Sequence, residues 1–388
     1  MSLRPSNLDM IVACPGSVAL TATLPEEETL EQQEGTAAHY VCERILHSYM
    51  DPAASVLISD DIVGQMAPNG ILITEEMWDA ATIYTNDILE ECNRHGLLRA
   101  LVIEQKVATP DIYPEMAGTP DCWAWDATHG CLYLWDYKYG HRRVEVFENY
   151  QMVAYMTGVL RSLGLVNPLA ESDIRIVCRI VQPRCYDGGP LISEWKVKPQ
   201  DLRPLVNTAA HACAVAASPG APCAPSRHCG DCIGAAYCRA LQANVASIAD
   251  HAGDPVPVEI SNSALAYELA VVKDAAKRLA ARIDALEVDA QHRISTGGTV
   301  PGWALEQGYG RNAWTHDERE VVALGQLMGV DLLDKPKLLS PSKAVDTLKK
   351  NKVDPSVISS YYAKPRTSLK LVQDDGSKAR QLFSKGGF

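Results

Sequence analysis

Aromatic side chains and long apolar runs are both scarce in this sequence. Aromatic residues make up 6% of the 388 positions, and only three are phenylalanine. No stretch approaches the roughly 20 apolar residues of a membrane span, and no apolar run suited to a secretion signal precedes Cys14. The hydrophobic share of 47% and charged share of 22% are nevertheless ordinary for a globular protein. Disorder, collagen and coiled coil are therefore excluded for the whole chain, and we expect an intracellular protein without membrane contact.

Net positive charge is also lacking, since the formal charge is −12. Taken alone, this value argues against a nucleic-acid partner. The charge is unevenly distributed, however: residues 335–388 hold 12 Lys or Arg and 4 Asp or Glu, a net +8, which leaves −20 on the rest. Such a basic segment is either a solvated surface or a contact for phosphate backbones.

Hydrophobic periodicity divides the chain into helices and strands. A break at Pro15-Gly16 interrupts the first helical segment, and Thr74 and Gly96 are typical of a helix start and stop. The pattern predicts an α/β core of about 240 residues. The predicted helices cover 27–50, 74–95, 146–163, an Ala-rich segment after Pro199, and 261–294, and the predicted strands cover 101–107, 119–125, 131–138, 174–181 and 191–197.

Two acidic residues and a lysine mark the second and third strands. Asp121 follows Pro120, and Asp136 and Lys138 lie two positions apart, so they share one face of a strand. A turn over 126–130 makes these strands a hairpin that brings Asp121 alongside. Paired carboxylates can hold a hard divalent cation, and an ammonium group beside it can stabilise a phosphate. The alternative is a simple ion pair at a strand end.

Further polar residues occur at helical spacing around this motif. His39 follows small residues on the second predicted helix, where it can approach the sheet. Gln151 and Tyr155 are four positions apart and therefore share one face of a helix. Glu104, on the first predicted strand, is an additional acidic candidate.

Twelve cysteines are present, and several of them are clustered. Cys229, Cys232 and Cys238 form a C-x2-C-x5-C triplet typical of metal ligands. Cys14 or Cys223 is the candidate fourth ligand, and four thiolates suit either zinc or an iron–sulfur cluster.

The order of these motifs resembles the PD-(D/E)XK nucleases, and the His and Q-x-x-x-Y elements resemble the RecB-like branch. The resemblance implies a restriction-endonuclease-like core, with a central mixed β-sheet flanked by helices. It implies that His39, Asp121, Asp136 and the Tyr137 carbonyl ligate Mg²⁺ or Mn²⁺. Lys138 is then the catalytic base or water-orienting group, and Gln151 and Tyr155 line the DNA side. The resemblance assigns a role in the site to Glu104 less securely than to the other residues.

The cysteine pattern is similar to the iron–sulfur staple of AddB-type nucleases. That similarity implies a [4Fe–4S] cluster on Cys14, Cys229, Cys232 and Cys238, rather than Zn²⁺. The C-terminal third, including segments 301–303, 310–315 and 338–344, resembles a phage-encoded family of unknown function. This implies a cytoplasmic setting in a bacterial host, DNA as partner, and contact with a recombinase, helicase or single-strand DNA-binding protein.

The expectation is thus a metal-dependent deoxyribonuclease, an exonuclease on linear DNA, acting in phage replication or recombination. One alternative is a catalytically inactive DNA- or protein-binding module on the same fold, and a second is an iron–sulfur electron carrier. The expected division is a stapled nuclease core over 1–253, a long helix and mixed region over 254–334, and a basic segment over 335–388. Polarity of cleavage, exo- versus endonuclease action, strand preference, the role of residues 254–388 and oligomeric state stay open at this point.

Overall fold

The computed structural model describes residues 3–25, 28–51, 53, 55–165, 173–186, 188–251 and 261–305. The predicted linker at 254–257, the motifs at 310–315 and 338–344 and the basic segment 335–388 lie outside these residues, and the domain boundaries stay predictions. The secondary-structure elements described below belong to one compact unit within 1–297, whereas residues 298–305 fall in a second. Among the described helices, none has the length and apolar character needed to cross a membrane.

A mixed β-sheet forms the centre of the fold. The strands are β1 (Leu101–Ile103), β2 (Val107–Ala108), β3 (Ala117–Gly118), β4 (Cys122–Asp126), β5 (Cys131–Tyr137), β6 (Arg175–Val181) and β7 (Ile192–Val197). The strand order of the sheet is β1-β4-β5-β6-β7, and among these described strands only β5 and β6 are parallel neighbours, while β2 and β3 form a separate two-stranded ribbon. The coarse prediction of an α/β fold with a central mixed sheet flanked by helices is therefore confirmed.

Helices cover both faces of this sheet. The described α-helices are α1 (Leu8–Ala13), α2 (Ser17–Thr21), α3 (Leu30–Met50), α4 (Glu75–His95), α5 (Tyr150–Ser162), α6 (Arg203–Ala216), α7 (Arg239–His251) and α8 (Asn262–Ser295). On one face, α3 and α4 bury a core that includes Ile45, Ile88 and Trp135. On the other, α1, α5 and α6 pack around Leu134, Met156 and Ile180. Both faces of β5 are buried throughout, as expected for a central strand.

Most predicted elements are confirmed, with shifted boundaries that have local causes. Helix α3 begins three residues after its predicted start because Thr29 and Gln32 form a reciprocal capping box. Helix α5 also begins after its predicted start, because Asn149 caps it. The prediction of one strand over 101–107 was wrong, because β1 and β2 are separate strands. The chain leaves the extended conformation at Glu104, whose φ of 50° places it in the left-handed region.

The N-terminal segment is joined closely to the cysteine-rich loop. The Gly16 N–H donates to the Pro222 carbonyl at 2.9 Å. A Cβ atom on Gly16 would meet backbone atoms of Ala221, Pro222 and Cys223 at 2.7 Å, too close for any side chain. Only glycine therefore allows this approach, which holds Cys14 beside the loop.

Replacement of Gly16 by alanine should destabilise the protein by about 1–3 kcal/mol, because the contacting atoms are backbone and cannot move aside easily. Urea unfolding measures this change. The matched control is Gly35→Ala in α3, where nothing lies within 4 Å of the added Cβ. There the substitution should stabilise by about 0.5–1 kcal/mol. Equal effects at both positions would contradict the close approach.

Candidate functional site

Three acidic residues from neighbouring strands meet at one end of the sheet. Cys122 pairs with Trp135, which places Asp121 and Asp136 at neighbouring positions at the same end of the β4–β5 hairpin. On the other side of β4, the Glu104 N–H donates to the Asp121 carbonyl at 3.0 Å. The left-handed backbone of Glu104 is costly for a side chain other than glycine, and such strain is concentrated at functional sites.

His39 completes a compact group of ligand atoms at this position. Its Nδ1 lies 3.6 Å from Asp121 Oδ1 and 3.8 Å from Glu104 Oε1. The three ligand atoms of His39, Glu104 and Asp121 lie within 4.8 Å of one another, a spacing that could hold a metal ion. Helix α3 supplies His39, and its small residues Ala37 and Ala38 are fully buried, which lets the helix approach the sheet.

Asp136 and Lys138 form a second group directly beside the first. Lys138 Nζ lies 3.0 Å from Asp136 Oδ2, and Asp136 is 1% exposed. The Tyr137 N–H donates to Asp121 Oδ2 at 2.6 Å, so the backbone between Asp136 and Lys138 holds the first group in place. The Tyr137 ring turns to the opposite face, where its centroid lies 5.2 Å from that of His39.

A chain of hydrogen bonds continues from the lysine onto helix α5. Lys138 Nζ donates to Gln151 Oε1 at 3.1 Å, and Gln151 Nε2 donates to the Tyr155 hydroxyl at 3.2 Å. Gly118 leaves room for the tyrosine ring, since a Cβ there would lie 2.8 Å from Tyr155 Cε1. The spacing of four residues predicted this shared face, and the structure shows that the face points at Lys138.

The charges in this site shift one another's ionisation. Burial raises the pKa of Asp136 to about 6, against the opposing effect of Lys138. Burial likewise raises the pKa of Asp121. For His39, burial acts to lower the pKa, but the Asp121 and Glu104 carboxylates outweigh it and raise the pKa. The pKa of Lys138 is also raised, because Asp136 and Asp121 outweigh burial. The site therefore combines disfavoured carboxylate charges with a stably protonated lysine.

All seven residues predicted for the catalytic and metal roles lie in this one region. Glu104, which carried over only weakly, joins the His39–Asp121 group, whereas Asp136 pairs with Lys138 beside it. The predicted ligand role of the Tyr137 carbonyl stays a prediction.

Gln182 is a buried residue that the sequence reasoning missed. Its Nε2 donates to the carbonyls of Gly140 and Arg142, at 3.0 and 2.5 Å, and its Oε1 accepts from the Val144 N–H at 3.0 Å. These bonds fix the loop that connects Lys138 to α5. The signal in the sequence was a polar residue directly after the apolar residues of β6. In the structure Gln182 is 1% exposed.

The predicted thiolate ligands also converge. Cys14, Cys229, Cys232 and Cys238 line one pocket together with Met10, Leu20 and Leu241. Cys14 arrives from the turn after α1, more than 200 residues away in sequence. Cys223 lies close as well, and burial together with Cys14 and Cys238 raises its pKa to about 12.

Backbone N–H groups point at the sulfur atoms that line the pocket. Ala224 donates to Cys14 Sγ at 3.2 Å, and Ser226 and Leu241 donate to the sulfurs of Cys229 and Cys238 at 3.3 and 3.4 Å. Burial raises the pKa of Cys232, and a backbone hydrogen bond from Gly234 opposes that effect. Such donors stabilise thiolates, the form in which cysteine binds a metal.

Contacts also connect the two sites. Arg142, in the loop after Lys138, pairs with Asp231 of the cysteine-rich loop at 2.7 Å. Asp9 of α1 lines a cleft with Tyr150, Arg227 and His228. Burial raises the pKa of Asp9, whereas His228, Arg227, Lys138 and a backbone hydrogen bond from Tyr150 act to lower it. Helix α1 therefore lies between the cysteine pocket and the carboxylate site.

A family model described as a protein of unknown function, DUF2800, matches residues 2–379. The chain belongs to the DUF2800 family. The matched residues include the carboxylate site, the cysteine pocket and most of the C-terminal region, so both sites lie within the part of the chain that the family model matches.

Asp136 should make the protein more stable near pH 5 than near pH 7.5 when a chelator removes divalent metals. Its folded pKa of about 6 lies above the ordinary 3.8, so the folded state holds the proton more tightly. This stabilisation is complete below the unfolded pKa and is lost as pH rises through about 6. The contribution is on the order of 1–3 kcal/mol. It is measured as the difference between wild type and Asp136→Asn in urea unfolding at the two pH values; parallel pH dependences would contradict it.

Proposed function

We propose that this protein is a metal-dependent deoxyribonuclease of the RecB-like PD-(D/E)XK type that hydrolyses phosphodiester bonds in linear DNA as an exonuclease. The observation that carries the proposal is the group formed by His39, Glu104 and Asp121 beside the Asp136–Lys138 pair. A role in phage DNA replication or recombination, alongside a recombinase, helicase or single-strand binding protein, follows from the resemblance of the motifs.

The donor set suits a hard divalent cation. Mg²⁺ and Mn²⁺ prefer carboxylate oxygens and accept imidazole nitrogen, and Asp121, Glu104 and His39 offer these atoms within 4.8 Å of one another. Asp136 extends the set, since it lies at the same hairpin end as Asp121, whose carboxylate adds to the burial that raises the pKa of Asp136. A bound divalent ion supplies Lewis acidity at the phosphate and a more acidic water. It would also offset the burial and the smaller mutual repulsion that raise the pKa of Asp121 and Asp136.

Lys138 is suited to charge stabilisation rather than to proton abstraction. Its raised pKa keeps the ammonium protonated at neutral pH, and Asp136 and Gln151 hold it from two sides. An ammonium fixed beside a phosphate stabilises the negative charge that develops on the phosphate oxygens during cleavage. Gln151 extends this polar group along α5, where it can orient the DNA strand, and the hydroxyl of the buried Tyr155, 6% exposed, holds Gln151 in position.

DNA binding must overcome the acidity of the body. The basic segment 335–388, with its net +8, supplies the opposite charge. This segment lies outside the described residues, and its role in contacting phosphates is part of the proposal.

Incubation of end-labelled linear duplex DNA with Mg²⁺ or Mn²⁺ tests the nuclease. Wild type should release nucleotides from the ends, and Asp121→Asn and Lys138→Met should each lower the rate by about a hundredfold or more. Asp126→Asn is the matched control. This buried carboxylate lies on the same hairpin, but it accepts N–H groups from Thr128 and His129 at the turn end, so cleavage should persist.

Two outcomes would contradict the proposal. One is cleavage that Asp121→Asn and Asp126→Asn leave equally intact. The other is tight DNA binding without cleavage in any divalent metal, which would favour a binding module. Covalently closed circular DNA, tested in parallel, should resist an exonuclease.

We further propose that Cys14, Cys229, Cys232 and Cys238 hold a [4Fe–4S] cluster that joins the N-terminal segment to the cysteine-rich loop. The support is their shared pocket and the N–H donors at each sulfur. Its role is structural, since these cysteines lie apart from the carboxylate site.

Anaerobically purified protein should be brown, absorb near ~400 nm and contain iron and sulfide. Cys14→Ser should lose the colour, whereas Cys223→Ser is the matched control that should keep it. A reversed result would assign Cys223 as the fourth ligand. Colourless protein with stoichiometric zinc would rule out the cluster.

A further inference from the structure

Helix α8 carries an uncovered apolar seam with the spacing of a coiled coil. Its apolar positions alternate between steps of four and three residues across 26 residues, the heptad spacing of a coiled-coil interface. At 1.5 Å per residue, this seam is about 38 Å long. The seam consists of Leu265, Leu269, Val272, Ala276, Leu279, Ile283, Leu286 and Ala290.

These side chains are exposed to an unusual degree. Leu265 is 51% exposed, Val272 56% and Leu279 40%, and Ile283 and Leu286 are comparable. Scattered exposed apolar residues are normal, but a continuous apolar stripe of this length marks an interaction surface.

The opposite side of α8 is occupied by the protein's own cysteine-rich region. Ala275 and Ala281 are buried there, Arg282 donates to the Ala235 carbonyl at 2.9 Å, and Asp289 accepts from the Tyr237 hydroxyl at 2.9 Å. The helix is therefore fixed on one side and presents the seam on another. The seam is not needed for packing against the described part of the body.

Charge at the flanks of the seam indicates which partner fits. In a parallel pair of identical helices, Glu268 faces Lys273 of the partner subunit and Lys273 faces Glu268 of the partner subunit, which gives one attractive pair on each side. In an antiparallel pair with all apolar layers in register, Glu268 would instead approach the acidic Asp289 of the partner subunit. Leu279 and Leu286, which alternate with the β-branched Ile283, are also typical of two-stranded parallel coils.

We propose that this seam is a homodimer interface in which α8 pairs in parallel with α8 of a second copy of the chain. The pairing joins two copies through α8, whose other side stays packed against the cysteine-rich region of its own chain. This inference is independent of the proposed nuclease activity, because it depends only on the helix and its flanking charges.

Sedimentation equilibrium of the full chain tests the dimer. Wild type should be dimeric, and Val272→Lys should raise the dimer Kd by about tenfold or more, because it places a charge in the seam. Val271→Lys is the matched control: the same residue type, one position along and 44% exposed, but outside the seam. It should remain dimeric, and circular dichroism should show equal helix content in both variants.

A charge exchange tests the parallel orientation. Glu268→Lys and Lys273→Glu should each weaken the dimer, because each creates a like-charge pair across the interface. An equimolar mixture of the two variants should restore dimers, since the heterodimer regains opposite charges on both sides. Mixing without restoration would overturn the parallel arrangement. Monomeric wild type, or equal behaviour of Val271→Lys and Val272→Lys, would overturn the interface itself.

Discussion

The burial of two carboxylates, Asp121 and Asp136, at the end of one hairpin is the constraint on which the described site depends. Asp121 and Asp136 are drawn out of water, so their ionised forms are disfavoured and their pKa values rise. The fold offsets this with Lys138, His39 and the Tyr137 N–H, each aimed at one of the two carboxylates. Such a site is less stable than an apolar equivalent, and the proposed divalent cation would offset part of that cost. At this edge of the sheet, the fold thus gives up part of its stability to keep ionisable groups close together.

The rest of the architecture positions that edge. Helix α3 brings His39 from one face of the sheet and α5 brings Gln151 from the other, so side chains from both layers come together where the strands end. Gln182 fixes the loop between Lys138 and α5. The cysteine pocket and α1 then connect the beginning of the chain to this loop through Asp9 and the Arg142–Asp231 pair. These contacts link the cysteine pocket to the carboxylate site through a short series of packed groups.

Much of the site was predictable because its spacing follows directly from backbone geometry. A two-residue period makes Asp136 and Lys138 share a face, and a four-residue period does the same for Gln151 and Tyr155. The cysteine triplet was visible for the same reason. The exact bounds of elements were less predictable, because caps such as the Thr29–Gln32 box and the strained backbone at Glu104 depend on local bonds that periodicity does not register.

The amino-acid sequence alone determined the order of the elements, the residue types of both sites and the uneven distribution of charge. Tertiary structure decided which of those residues meet. It grouped Glu104 with His39 and Asp121, paired Asp136 with Lys138, and brought both Cys14 and Cys223 to the triplet. The physical reason is that these contacts join segments tens to hundreds of residues apart. They are set by strand register, by the close backbone approach at Gly16 and by the packing of α8. No local pattern contains that information.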